Sequence, residues 1–313
     1  FGAKTAAQMA GLREGLGDRY RLTTVDVAGD SAADIDPDSV EVLVVAGPTQ
    51  PLDSAAVARV ERFADGGGAT LMLMEPITLN PQSPMPIPAS SGLEPYVASR
   101  GVSLRSGLVV DLASSERVSL GRQGLFNVIA PYPLWPIVQP ATDHSITNGL
   151  NGLTLGWGAA LEIDATAEAV TPLWQTSQNG AIHPVAAPIL PDQDWLFEED
   201  ELGTQVVAAA VLPADDDARG RMIVVGDVSF TEPTYVQSNP TNPVFLANAI
   251  DWLAQDEALL GIRSKNRTPP GLVFESDGSR NLLKWGNLVG VPLLFVLAGF
   301  VRVTGRRRRA EDR

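Results

Sequence analysis

Three short stretches hold the residues best placed to do chemistry: Gly47-Pro48-Thr49, Glu75-Pro76, and Gly226-Asp227 with Ser229 two positions on. Each follows an apolar run that reads as a strand. In doubly wound sheets, ligands bind outside the carboxyl ends of the strands. Thr49, Glu75, Asp227 and Ser229 are therefore candidate ligand- or partner-binding residues, and the two carboxylates could hold a cation or a sugar hydroxyl. The competing interpretation takes precedence: carboxylates at such positions cap loops and helix N-termini, where they are favourable without any ligand. A second candidate is aromatic. Trp135, Tyr132 and Phe126 lie in a proline-rich stretch and could form a binding surface, or they could pack that stretch onto the sheet, as aromatics do in cores.

Much other chemistry lacks its residues. There is no cysteine, which removes thiolate nucleophiles, disulfides and Cys-ligated metal. The only two histidines, His144 and His183, have no ligand pattern around them for zinc. No Gly-x-Ser-x-Gly elbow occurs, although a Ser-His-Asp triad is defined by geometry and stays open as a divergent α/β hydrolase. No phosphate-binding Gly-x-x-x-x-Gly-Lys-Ser/Thr loop occurs, so the chain is not itself an ATPase. Gly11, Gly15 and Gly17 do not make a dinucleotide fingerprint. No catalytic residue, metal or cofactor is assigned.

The elements that would position the candidates alternate for the first third of the chain. Residues 7–16 suit a helix and 20–27 a strand. Residues 40–46 are nearly all apolar, as expected of a strand buried on both faces in a parallel sheet. Asp53 offers an N-cap for a helix over 55–64, with Val57, Val60 and Phe63 on one stripe. Gly66-Gly67-Gly68 ends that helix and releases a strand at 69–74, completing a βαβ unit. A helix near 93–99 and a strand at 108–111 continue the alternation. Residues 112–150 then read as an irregular insertion, since Pro131, Pro133 and Pro136 cannot lie inside a helix. Apolar runs return at 159–163, 169–175, 205–212 and 221–225. Thr241-Asn242-Pro243 reads as the cap of an amphipathic helix over 244–254.

The 313 residues carry a net charge of −14, with 44% hydrophobic and 19% charged. The charge is split. Residues 302–313 hold six arginines against Glu311 and Asp312, which leaves 17 basic and 35 acidic side chains in residues 1–301, a net of −18. Such a body has no use for phosphate backbones, so no nucleic-acid partner is expected. Residues 285–301 carry no charge between Lys284 and Arg302. At about 1.5 Å per residue they cover about 26 Å, the short end of a membrane span. The arginines at 306–309 then place the tail in the cytoplasm and the body outside. No signal peptide is visible in residues 1–20, so the chain is expected to be a piece of a longer exported protein.

Residues 37–48, Pro51-Leu52-Asp53, Gly66-Gly67-Gly68, residues 71–76, residues 223–230 and residues 242–253 together resemble the gliding-motility-type ABC transporter auxiliary family (GldG-like). The terminal apolar stretch with its arginine tail fits the same family. The resemblance implies a flavodoxin- or glutamine-amidotransferase-like α/β fold, a mostly parallel sheet with helices on both faces, outside the membrane. It also implies association with an ABC permease and a cytoplasmic ATPase as partners, and it carries over no catalytic residue. Family members often have a Gly-His-Gly-Glu-like turn after the first strand, whereas this chain begins Phe1-Gly2-Ala3-Lys4. The expected organisation is an extracytoplasmic α/β domain at 1–263, a linker at 264–284, a transmembrane helix at 285–303 (contacting lipid through Trp285 to Val301) and a cytoplasmic tail at 304–313. The expected location is the bacterial inner membrane. The expected function is a non-catalytic, membrane-anchored auxiliary component of an ABC-type system; the alternatives are a tethered carbohydrate- or peptide-binding module or the divergent hydrolase.

Overall fold

The structure, a computed structural model, describes residues 2–254 apart from 6, 18, 30–31, 81, 124–125, 168 and 214–219. In chain order the elements are α1 (Ala10–Leu16), β1 (Val42–Ala46), α2 (Ser54–Asp65), β2 (Ala69–Leu73), β3 (Ile77–Thr78), β4 (Ile87–Pro88), α3 (Glu94–Ser99), β5 (Val102–Leu104), β6 (Leu108–Asp111), β7 (Ser115–Gln123) and β8 (Phe126–Pro140). There follow β9 (Leu153–Thr154), β10 (Leu161–Ile163), β11 (Val170–Gln175), β12 (Gly180–His183), β13 (Val206–Val211), β14 (Met222–Val225), α4 (Pro233–Ser238) and α5 (Thr241–Leu253).

The main sheet runs β1-β2-β14-β13-β11-β8-β7, with β10 and β5 branching from β13 and β9 pairing β8. Only β1, β2 and β14 are mutually parallel. From β13 onward each pairing is antiparallel. This overturns the flavodoxin-like expectation of a mostly parallel sheet with helices on both faces. The chain is strand-rich, with few helices, and its sheet is mixed. The physical reason is in the later runs: among the described residues no α-helix lies between β5 and β14 to carry a parallel crossover, and strands joined without one pair antiparallel.

The parallel strands are the best buried. All five residues of β2 and all four of β14 are inside, consistent with strands covered on both faces. Leu71, Leu73, Ile223 and Val225 join α1 and α5 residues such as Leu12, Phe245, Leu246 and Ala249. Met72, Met74, Met222 and Val224 meet Val60 and Phe63 of α2 and Tyr96 and Val97 of α3. Alternate side chains of one strand thus serve two cores. Asp53 caps α2 as expected, its Oδ1 accepting the N–H of Ala56 at 2.8 Å.

Several other expectations need correcting. Residues 20–27 form no strand. Their groups are engaged by side chains instead of a ladder: the Tyr20 hydroxyl donates to Asp251 at 2.7 Å and Arg59 donates to the Val27 carbonyl at 3.0 Å. The supposed irregular insertion at 112–150 is mostly the long β7–β8 hairpin, broken by two register shifts. Its prolines at 131, 133 and 136 lie in β8, where over residues 126–136 the ladder is with β7 alone, and a register shift falls between the Pro131 and Pro136 pairs, so the missing N–H groups are tolerated. Strand β6 leaves the main sheet and pairs β12. The helix at the end of the body is not amphipathic: every residue of α5 except Thr241 and Val244 is buried. Asn242 does not cap it. Its amide accepts from the Thr154 N–H at 3.1 Å and donates to the carbonyls of Thr154 and Phe230 at 2.9 and 3.0 Å.

Among the described residues no helix is long and apolar enough to cross a membrane. The stretch 285–301, its linker and its tail lie outside the described residues.

Phe245 packs its ring edge-on to Trp174 at 5.6 Å and beside Phe230 at 5.8 Å, at the centre of the α5 core. Phe245→Ala should cost about 3–5 kcal/mol, while Phe126→Ala, at a ring 78% exposed, should stay within about 0.5 kcal/mol. Urea-denaturation midpoints of the two variants check this, and equal losses would contradict the placement of the core.

Candidate functional site

The expected strand-end cluster exists, but it is closed. Asp227 follows β14 directly and is completely buried. Its Oδ2 accepts the N–H groups of Gly156 at 2.9 Å and Phe230 at 3.1 Å, and its Oδ1 accepts that of Ser229 at 2.7 Å. These donors come from the loop before β10 and from the tight turn Ser229–Thr231. Two glycines let the backbones come together. Gly226 passes so close to the neighbouring loop that a Cβ there would sit 2.1 Å from the Ala159 carbonyl oxygen. Gly47 has φ +59°, and a Cβ there would meet Val228 at 2.4 Å.

Glu75, two residues beyond β2, is buried, and its Oε2 has no hydrogen-bond partner. Burial raises its carboxyl well above the ordinary range, Asp227 and Glu232 add to this, and Lys4 and the Ser229 hydroxyl oppose it. Burial likewise pushes Asp227 up to about 7 against the three backbone N–H groups. Because Asp227 has fixed donors on both oxygens and Glu75 does not, Glu75 is the proton carrier. Lys4 provides the countercharge. Its backbone N–H donates to the Ala46 carbonyl at 2.7 Å, and its ammonium pairs with Glu232. Burial works against that ammonium, but Glu232, Glu75 and Asp227 together hold it above its ordinary range.

Of the residues singled out by sequence, the structure joins Glu75, Asp227 and Ser229. Thr49 instead backs the start of the chain, its hydroxyl lying where a side chain on Gly2 would begin. Tyr132 and Trp135 belong to an aromatic group that sequence did not assemble. Tyr132 meets Trp135, Trp157 and Trp195 at centroid distances of 5.6, 6.4 and 6.1 Å, and Trp135 meets Tyr235 at 5.1 Å. The Tyr132 hydroxyl donates to the Ile189 carbonyl and accepts from the Trp157 indole. These contacts support packing over an open binding surface. Tyr235 ties the group to the carboxylates: burial raises its hydroxyl's pKa, and Asp227, Glu232 and Glu75 add to the effect. Trp157 has φ +60°, uncommon for a bulky residue. It is held by its own N–H on the Leu134 carbonyl and its indole on Tyr132.

Sequence missed Lys4, Glu232, Tyr235, Trp157 and Trp195. The one local signal was Gly156-Trp157-Gly158, two glycines around a large ring. The histidines do not form an acid–base site: His144 packs on Trp252, and His183 packs on Trp195 with Nε2 on the Pro188 carbonyl. Among the described residues no group of three or more His, Asp or Glu could hold a metal ion. An open groove of about 640 Å³ lies elsewhere, and its lining, including Pro86, Pro88, Ile182 and Val185, has no titratable side chain. The strand-end cluster can therefore store a proton and fasten loops, and its only ammonium is already paired.

Residues 2–255 match the model of a family described as an ABC-type uncharacterized transport system. No curated protein matches the sequence. Among solved structures, the mmIFT52 N-terminal domain is similar in fold, with a TM-score of 0.52 at 13% identity over 79% of this chain and 90% of that one. A β-galactosidase from Bacillus circulans sp. alkalophilus aligns with a TM-score of 0.34 at 13% identity, over 70% of this chain and 23% of that one.

The buried Glu75 makes stability depend on pH with a definite sign. Its ordinary value is 4.5 and its folded value is raised. Between the two, the folded chain holds a proton that the unfolded chain has lost. Stability should therefore fall as pH rises from about 4.5 towards the raised folded value, by up to about 1.4 kcal/mol per pH unit for one proton. Asp227, raised to about 7, adds a slope of the same sign below that value, so Glu75→Gln should reduce the slope in denaturation curves taken from pH 5 to 8 without abolishing it. An unchanged slope would mean that Glu75 is not the proton carrier.

Proposed function

Because the chain belongs to the ABC-type uncharacterized transport system family, we propose that it is a non-catalytic auxiliary component that couples such a transporter to a substrate or partner outside the membrane. What supports the non-catalytic reading is the closure of the strand-end site. Asp227 spends both oxygens on backbone N–H groups, and Lys4 is committed to Glu232. A carboxylate acting as base or nucleophile must instead be within reach of a substrate atom. The anchor in this proposal is the uncharged stretch 285–301, with the arginines at 306–309 inside the cytoplasm and the acidic body outside. The partners are the permease in the membrane and the ATPase beneath it. The gliding-motility-like specialisation rests on the sequence resemblance alone.

Isolating the intact chain from membranes of its own cell should bring the permease and ATPase with it, and protease added outside the inner membrane should degrade the body but leave the tail. Recovery of the chain without either subunit, or protection of the body, would count against the proposal. In cells lacking the native copy, Glu75→Gln should restore transport to within about 2-fold of wild type. A catalytic carboxylate would instead lose at least about 100-fold, the lower range for removing a general acid or base.

A further inference from the structure

The outer half of the β7–β8 hairpin stands apart from every core. Its register pairs Ser119 with Ile129, Gly121 with Val128 and Arg122 with Asn127. The side chains around it are solvated: Phe126 is 78% exposed, Ile129 52% and Leu120 38%. The base is different, with Tyr132, Leu134 and Val138 fully inside. A two-stranded ribbon by itself is marginal in water, and this one spends large apolar side chains on solvent.

Two features identify what would cover it. First, successive residues of a strand point to opposite faces, so Phe126 and Ile129 lie on opposite faces of the ribbon. A flat partner laid on one side would leave the other side wet, whereas a medium that surrounds the tip satisfies both. Second, β7 and β8 carry Arg117 and Arg122 against one carboxylate, Glu116, which accepts from the Thr154 hydroxyl at the base of the ribbon, in a body whose net charge is −18 over residues 1–301. The acidic body as a whole is repelled by an anionic surface, and the outer ribbon, which holds no carboxylate beyond Glu116, is not. Exposed apolar side chains beside arginines are the composition that seats in the headgroup region of an anionic bilayer. A second copy of this chain could attract the arginines with its acidic surface but would cover only one face of a ribbon whose apolar side chains lie on two.

We propose that the outer β7–β8 ribbon inserts Leu120, Phe126 and Ile129 into the headgroup layer of an anionic membrane, with Arg117 and Arg122 on lipid phosphates. This goes beyond the transporter reading and does not depend on the permease or the ATPase.

The absence of cysteine permits a clean probe. The full chain with Asn127→Cys, labelled with an environment-sensitive fluorophore, is added to vesicles of phosphatidylglycerol and phosphatidylcholine or of phosphatidylcholine alone, each with and without nitroxide-bearing lipid. The expected result is a blue shift and nitroxide quenching in the anionic vesicles. Arg117→Gln with Arg122→Gln should weaken the signal several-fold, and Phe126→Ser with Ile129→Ser should abolish it, with melting temperatures unchanged. No quenching in either vesicle overturns the proposal, as does equal quenching in both. A lipid-independent shift that grows with chain concentration overturns it in favour of a second copy. The label reports the ribbon and not the stretch 285–301, and the vesicles contain no transporter, so its failure is separate from failure of the proposed function.

Discussion

The Asp227 carboxylate, buried just beyond the end of β14, fastens the loop before β10 to the turn that follows β14. It binds the N–H of Gly156 in the loop before β10, and those of Ser229 and Phe230 in the turn that leads to α4 and α5. Buried N–H groups without an acceptor cost about 1–3 kcal/mol each. One anion answering three of them therefore controls several kcal/mol of local stability. Its position is enforced by Gly226, whose carbonyl accepts the Ala159 N–H at 2.7 Å in a crossing too tight for any side chain.

The rest of the site follows from placing that anion away from water. Burial by itself raises Glu75, and ionising it beside that anion would add repulsion in a low-dielectric surrounding, so it takes a proton. Lys4 is drawn to the same place, and with it the start of the chain, whose backbone is hydrogen-bonded to the end of β1. Tyr235 sits against the carboxylates on one side and against Trp135 on the other. The aromatic group and the acidic group are thus one structure with an apolar half and a charged half.

How much of this was legible in the sequence depended on the range of the interaction. Buried strands such as β2 and β14 were visible because their apolar runs are local, and the α2 cap was visible because Asp53 and Ala56 are three residues apart. The strand-end carboxylates were visible for the same reason. The topology was not. Three parallel strands with one helix between them look the same in sequence whether the sheet continues parallel or turns antiparallel. The prolines of 131–136 suggested irregularity, yet they lie in a strand, because Pro is only forbidden where its missing N–H is needed. Lys4 and Glu232 are 228 positions apart, so no pattern in the chain could have paired them. Asn242 read as a cap because it precedes a helix, but its amide serves Thr154 and Phe230 across the core.

The distribution of order across the molecule bears on what it does. At the place where an α/β protein usually keeps its reactive groups, Asp227 is taken up by backbone donors and Glu232 by Lys4. Unspent interaction capacity lies elsewhere, on a ribbon rooted in the core by Tyr132, Leu134 and Val138 and exposed at its far end. Stability and contact with the outside are thereby divided between two ends of one strand. Residues 132–138 of β8 lock into the aromatic group, and residues 126–131 carry apolar side chains into solvent. That division fits the auxiliary role proposed above, in which the buried acids fasten loops and the ribbon faces outward.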